Sequence, residues 1–113
     1  MDITTEALRL GMAMARARVE VASDNIANVD TPGYHAQRAD FGRSLGLVGS
    51  ADHAHTAGAE LGGGITMTDD IDPSVHLDGE VAELESASAS YQEMTMVLSR
   101  RFALMQLALA GRN

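Results

Sequence analysis

The sequence predicts a mainly α protein: two long terminal helices, packed as a coiled-coil-like hairpin or an elongated rod, joined by a Gly-rich irregular loop with at most a small β-hairpin. Three observations predict it. Apolar residues recur at alternating spacings of three and four at both ends of the chain, and the middle lacks that period. The apolar content is 45% of residues but only 4% are aromatic, so it is mostly Ala, Leu, Val and Met, which suit helix packing better than a sheet core. Glycines punctuate the middle at Gly46, Gly49, Gly58 and Gly62-Gly63-Gly64. A chain of 113 residues is enough for one domain, read here as an N-terminal helix over 1–30, a turn and loop over 31–73 and a C-terminal helix over 74–113.

The first helix reads from Ile3 to Val29. Leu8, Met12, Ala15, Val19, Ala22, Ile26 and Val29 form an a/d seam over about three heptads. Asp2 or Thr4 can cap its start, and Glu6 in the first turn suits the helix dipole. The helix must stop at Asp30-Thr31-Pro32-Gly33, because the residue before a proline is pushed out of the α region and Pro-Gly suits the centre of a type II turn.

Between Gly42 and Asp72 the periodicity disappears, and short strand-like alternations remain only at Ala59–Leu61 and Ile65–Thr68. The last helix reads from Ser74 or Asp78 to Ala110, with Leu77, Val81, Leu84, Ala87, Tyr91, Met94, Leu98, Phe102, Met105 and Leu109 along one side. Asp78, Glu80, Glu83 and Glu85 crowd its beginning while Arg100 and Arg101 come late, which matches the macrodipole, and Gly111 is a natural stop. Phe102 to Ala110 contains one polar residue, Gln106, and Leu10 to Ala15 is similarly apolar all round. Such segments must be surrounded, and one partner helix cannot surround them.

Charge and composition exclude several functions. Net charge is −8 and lysine is absent, so no basic face for nucleic acid can be assembled and an anionic membrane surface is disfavoured. There is no cysteine for disulfide or thiolate chemistry. The acidic start Met1-Asp2-Ile3-Thr4-Thr5-Glu6 predicts no cleaved signal peptide, and no apolar run approaches the roughly 18 residues of a spanning helix. His53 and His55, with His35, His76 or Asp52, could form at best a weak metal site, and we read them as solvated loop histidines. Asp69-Asp70-x-Asp72 has a glutamate, Glu80, at the twelfth place of a calcium loop but lacks the turn glycine. No phosphate loop or nucleophile elbow is present. The expectation is therefore a protein that is no enzyme, with no cofactor, metal or small-molecule substrate. Met12, Met14, Met94, Met96 and Met105 fit two readings, adaptable core packing or accommodation of non-identical neighbours.

The most specific stretch is Asn25-Ile26-Ala27-Asn28-Val29-Asp30-Thr31-Pro32-Gly33-Tyr34. Its turn chemistry alone describes an ordinary helix end and identifies no partner. Asn-Ile-Ala-Asn-x-x-Thr-Pro-Gly-Tyr after an apolar N-terminal helix nevertheless resembles the signature shared by flagellar rod and hook proteins. His35 to Phe41 resembles the stretch next to that signature in proximal rod members, although His35 stands where they are usually basic. Val75 to Leu84 resembles their Val-Asp-Leu-x-x-Glu-Met-Ala-Glu entry into the last helix, with Gly79 in place of a better helix former. Tyr91-Gln92 and Leu98 to Phe102 match in type and order, while Ser86 to Gln92 is also similar to a sister rod protein.

The resemblance implies a structural subunit of the proximal rod of the bacterial flagellar basal body, located in the periplasm. It implies export from the cytoplasm by the flagellar type III system without a cleaved signal, and polymerisation through the terminal helices. Asn25, Ile26, Ala27, Asn28, Thr31, Pro32, Gly33 and Tyr34 would form the assembly motif. The helix seams would be Leu8, Met12, Ala15, Val19, Ala22 and Ile26 on one side, and Leu84, Tyr91, Met94, Leu98, Phe102, Met105 and Leu109 on the other. The implied partners are copies of the chain, other rod proteins, a FliE-type adaptor, the export gate and the surrounding ring proteins. A small helical export adaptor or binding module, using the same seams for one partner, is the alternative.

Overall fold

The computed structural model describes residues 3–41, 66–69 and 74–111. In chain order these form helix α1 (Ile3–Ala27), strand β1 (Gln37–Asp40), strand β2 (Thr66–Asp69) and helix α2 (Leu77–Ala110). The described protein is mainly helical, as its periodicity predicts, and elongated, with principal extents of 65 × 29 × 15 Å.

The two helices lie side by side and antiparallel. Arg18 of α1 meets Glu83 of α2, and further toward the start of α1 Gly11 lies against Met94, later in α2. This is the hairpin arrangement. At Gly11 there is no room for a side chain, since an added Cβ would come within 2.5 Å of the Met94 sulfur.

The face that α1 buries is broader than a two-helix seam. Thr5, Leu10, Ala15, Ala17, Val21, Ala22 and Asn25 are buried, so of the a/d residues only Ala15 and Ala22 are deepest, while Leu8, Met12, Val19 and Ile26 are half-buried. The reason is a second neighbour: Arg18 and Val21 line a small cavity together with Arg38 and Ala39 of β1, Phe41 and Glu83. Helix α1 is therefore covered by α2 on one side and by the β1 segment on another.

Helix α1 ends at Ala27, two residues before the Val29 limit expected from periodicity. Thr31 to Tyr34 then form the turn expected at Pro32-Gly33, closed by the Tyr34 N–H donating to the Thr31 carbonyl at 3.2 Å. Gly33 has φ of 76°, the left-handed conformation that only glycine adopts without strain.

Strands β1 and β2 pair antiparallel, with Gln37 opposite Asp69 and Asp40 opposite Thr66. The alternation over Ile65–Thr68 predicts a strand there, and its partner is Gln37–Asp40, directly after the turn. Ala59–Leu61 lies outside the described residues, as do His53 and His55. β1 escapes a periodicity search because Gln-Arg-Ala-Asp has one apolar residue and no alternation.

The pairing leaves α2 longer than its partner. With 34 residues against 25, and with Gly11 beside Met94, the first turn of α1 falls near residue 100 of α2. At about 1.5 Å per residue, the rest of α2 runs on for roughly 15 Å past Ile3.

Gly11 sets the first prediction. Gly11→Ala gains helix propensity of about 1 kcal/mol while displacing only the flexible Met94 side chain, so thermal unfolding should change stability by less than about 1 kcal/mol. Gly11→Leu should cost on the order of 1–3 kcal/mol by overpacking the helix contact.

Candidate functional site

At the end of α1 the sequence motif becomes a joint built around one side chain. Asn25 is fully buried. Its carboxamide oxygen accepts from the Tyr34 hydroxyl at 2.8 Å and from the Gln37 backbone N–H at 3.0 Å, while its Nδ2 donates to the Gln37 carbonyl at 3.0 Å. An asparagine carries an acceptor and a donor on one planar group, so it can engage both backbone groups of one residue, as a neighbouring strand does. The turn at Pro32-Gly33 is what brings Gln37 back to it.

Asn28 holds the turn from the outside. Its Nδ2 donates to the Asp24 carbonyl at 2.8 Å, satisfying one of the open groups at the helix end. Its Oδ1 accepts from the Thr31 hydroxyl at 3.1 Å, and the Thr31 N–H donates to the Asn28 carbonyl at 3.0 Å. The two asparagines thus have separate tasks, Asn25 inward and Asn28 outward.

The joint continues into α2. The Gln37 carbonyl also accepts from Arg38 Nη1 at 3.1 Å, and the Arg38 guanidinium forms a two-pronged pair with Glu80 at 2.6 and 3.2 Å. Glu80 is 1% exposed. A carboxylate that deep needs a partner, and Arg38, reaching across from β1, supplies a planar fork that fits it. A second pair, Arg18 with Glu83 at 2.6 Å, ties the helices one turn further along. Tyr34, Asn25, Gln37, Arg38 and Glu80 therefore form one connected chain of hydrogen bonds from the end of α1 through β1 to the start of α2.

These contacts tune the titrating groups. The Arg18 hydrogen bond holds the Glu83 carboxyl below its ordinary value, against an opposing effect of burial. Burial raises the Tyr34 phenol above its ordinary value, and the charges of Asp24 and Glu80 add to the shift. The phenol consequently stays protonated and remains a donor to Asn25.

The remaining positions named from sequence divide sharply. Ile26 and Tyr34 are half-buried at the joint, and Ala27, Thr31, Pro32 and Gly33 are exposed. Val19 and Tyr91 line a groove of about 340 Å³ between the helices, together with Arg16, Ser88 and Gln92. Leu84, Met94 and Leu98 are half-buried along α2. Beyond them Phe102, Met105 and Leu109 are exposed, as are Leu104 at 60% and Leu107 at 69%. Arg38, Glu80, Gln37 and Gly11 have no such task in the sequence pattern, although Arg38 and Glu80 fall inside the two stretches that resemble rod proteins. His35 and His76 are exposed, and among the described residues no group of His, Asp and Glu could hold a metal ion. No described helix is long and apolar enough to cross a membrane.

A joint of this kind, with two paired terminal helices and an exposed apolar extension, defines a structural subunit built for assembly. The family described as flagella basal body rod protein matches residues 7–35, which run through α1 and the turn to the joint. The flagellar basal body rod protein FlgB of Cereibacter sphaeroides is 29% identical over 108 residues, covering 88% of this chain and 83% of that protein. FlgB of Bacillus subtilis is 25% identical over 121 residues, covering 96% of this chain and 94% of that protein. No solved structure gives a significant match. The chain is thus similar to flagellar basal-body rod proteins over α1 and the turn, and to the two FlgB proteins along most of its length. These similarities support a structural subunit of the flagellar rod.

Removing the Asn25 side chain takes an acceptor from the Gln37 N–H and the Tyr34 hydroxyl, and one donor from the Gln37 carbonyl, which Arg38 still reaches. Asn25→Ala should therefore lower stability by roughly 2–4 kcal/mol in denaturant unfolding, and Tyr34→Phe by about 0.5–1.5 kcal/mol. The Arg18–Glu83 pair predicts a pH dependence. Folded Glu83 binds its proton less readily than the unfolded chain does, so the stability it contributes is complete above about pH 5 and is lost as pH falls toward the folded pKa. Glu83→Gln should flatten this acid limb in unfolding midpoints measured from about pH 3 to 7.

Proposed function

We propose that this chain is a subunit of the proximal rod, where its terminal helices pack among those of neighbouring rod subunits. The observation that carries the reading is the overhang of α2. Phe102, Leu104, Met105, Leu107 and Leu109 are all exposed, and their spacing places them around the whole circumference of the helix. A helix that is apolar all round is stable only when surrounded, so this segment calls for several neighbours. Burying it supplies the free energy of assembly at about 25 cal/mol per Å² of apolar area.

The role is architectural and not catalytic, and it calls for no cofactor, nucleic acid or small-molecule substrate. Both curated relatives are FlgB proteins, which supports the proximal subunit over the sister rod protein FlgC that Ser86 to Gln92 also resembles. On this reading a FliE-type adaptor and the export gate lie on the membrane side, further rod proteins lie outward and ring proteins surround the subunit. Asn25 to Tyr34 acts as the joint that holds the helix pair in its assembling shape. Export would proceed through the flagellar type III system without a cleaved signal, with folding completed in the periplasmic rod. A small binding module would instead form a complex of fixed, low stoichiometry.

Deleting the gene and imaging basal bodies tests the proposal. Rods should be missing above the membrane ring, and should return with the wild-type gene and with Ala54→Asp but not with Leu98→Asp or Phe102→Asp. Intact rods in the deletion strain would overturn it.

A further inference from the structure

The net charge of −8 hides a sharp division along the chain. All sixteen acids lie at or before Glu93, whereas three of the eight arginines, Arg100, Arg101 and Arg112, lie after it. The side chains of residues 94–113 therefore carry +3, and those of residues 1–93, with five arginines against the sixteen acids, carry −11. The acid-free stretch contains the overhang of α2, where Phe102, Leu104, Met105, Leu107 and Leu109 are all exposed. Arg100 is exposed at the base of the overhang and takes part in no ion pair among the described residues. Glu6, which α1 brings to the same end, is paired with Arg9 at 3.6 Å. Glu93, the nearest acid along α2, is nine residues from Phe102, about 13 Å, which exceeds the roughly 8 Å screening length at physiological salt. The acidity that disfavours an anionic membrane for the chain as a whole therefore does not extend to this end.

We infer that the unassembled chain docks by this end on an anionic lipid surface, with the overhang in the outer part of the hydrocarbon and Arg100 among the headgroup phosphates. Shape, length and charge agree. The overhang is apolar all round, whereas a helix that docks in a protein groove needs only one apolar face. Its roughly 15 Å is half of the about 30 Å hydrocarbon core, so it enters one leaflet and cannot span the membrane. The last backbone carbonyls of a helix have no partner within it, so the end enters at a shallow angle that keeps them near the interface. That tilt also holds the acidic start of α2, at the opposite end of the hairpin, clear of the anionic surface. An arginine at the base of an apolar segment lays its stem along the apolar layer and keeps its guanidinium at the phosphates. Subunits that later surround the overhang displace the lipid, so docking and assembly use one surface in turn. The inference goes beyond the rod reading and holds for the free chain whatever it joins.

The absence of cysteine gives a direct test with the purified full chain. A polarity-sensitive fluorophore is placed at Leu107→Cys or, at the opposite end, at Leu77→Cys, both exposed positions. Each chain is mixed at about 0.1 M salt with vesicles of phosphatidylcholine alone or with about one-third phosphatidylglycerol. Partitioning measured by vesicle flotation should be at least about 10-fold higher on the anionic vesicles, and should fall toward the neutral level in about 0.5 M salt. The Leu107 label should shift to the blue on binding, and the Leu77 label should not. In the unlabelled chain Arg100→Glu should lower partitioning about 10-fold, Arg100→Lys should keep it and Leu107→Asp should abolish it, each with unchanged circular dichroism in solution. Equal partitioning on the two vesicles, a Leu77 label that responds as strongly, or no loss with Arg100→Glu would overturn the inference. Binding to neither vesicle would overturn it too, leaving protein neighbours as the only cover for the overhang. None of these results bears on the rod reading, which basal-body imaging decides.

Discussion

The described structure depends on the carboxamide of Asn25. It is a polar group removed entirely from water, and its burial is tolerated only because its oxygen and nitrogen find partners in Tyr34 and in both backbone groups of Gln37. That requirement fixes where β1 begins relative to α1. Once β1 is fixed, Arg38 stands over the start of α2, and only there can the buried carboxylate of Glu80 be neutralised. Polar burial is a costly way to join elements, yet it is directional. Apolar contact would hold the helices together without setting the angle and level at which α2 enters.

The helix pairing works on a different principle. Its surfaces are small and adaptable, with Ala15, Ala22 and Ala87 buried and Gly11 allowing close approach to Met94. Small residues let backbones come near each other, while Met94 fills the irregular space that remains. Directional bonds at one end and plain apolar packing along the rest yield a hairpin anchored at one end and open at the other. The open end is where the structural subunit keeps its unsatisfied apolar surface, which is the property an assembling protein needs and a monomeric one avoids.

Much of this is legible from residue spacing. The two helices follow from three-and-four periodicity, and the turn from Pro32-Gly33, because both signals are local and strong. Strand β1 is not legible, since Gln37-Arg38-Ala39-Asp40 has no alternation and its ladder partner lies 26 residues further on, beyond Asp40. Residue chemistry alone makes Asn25 part of an ordinary helix end, and only the resemblance places it in an assembly motif. Its burial is a consequence of β1 folding back, which no helical pattern contains. Glu80 similarly reads as one of several acids favoured by the helix dipole, although the others at that helix start stay at least partly exposed. The width of the α1 stripe is underestimated for the same reason, because a seam drawn for one neighbour omits Leu10, Ala17 and Val21 when there are two.

The bonds of the joint also differ in how much chain they enclose. Asn25 and Gln37 are 12 residues apart, Arg38 and Glu80 42 apart, and Arg18 and Glu83 65 apart. Closing a loop costs conformational entropy that rises with its length, so the small ring is the readiest to form and the largest the slowest. A chain that folds by its shortest closures first completes the Asn25 ring before α2 docks. The last helix then arrives at a docking edge already in place, and the segment that finishes folding last is the one left exposed for neighbours.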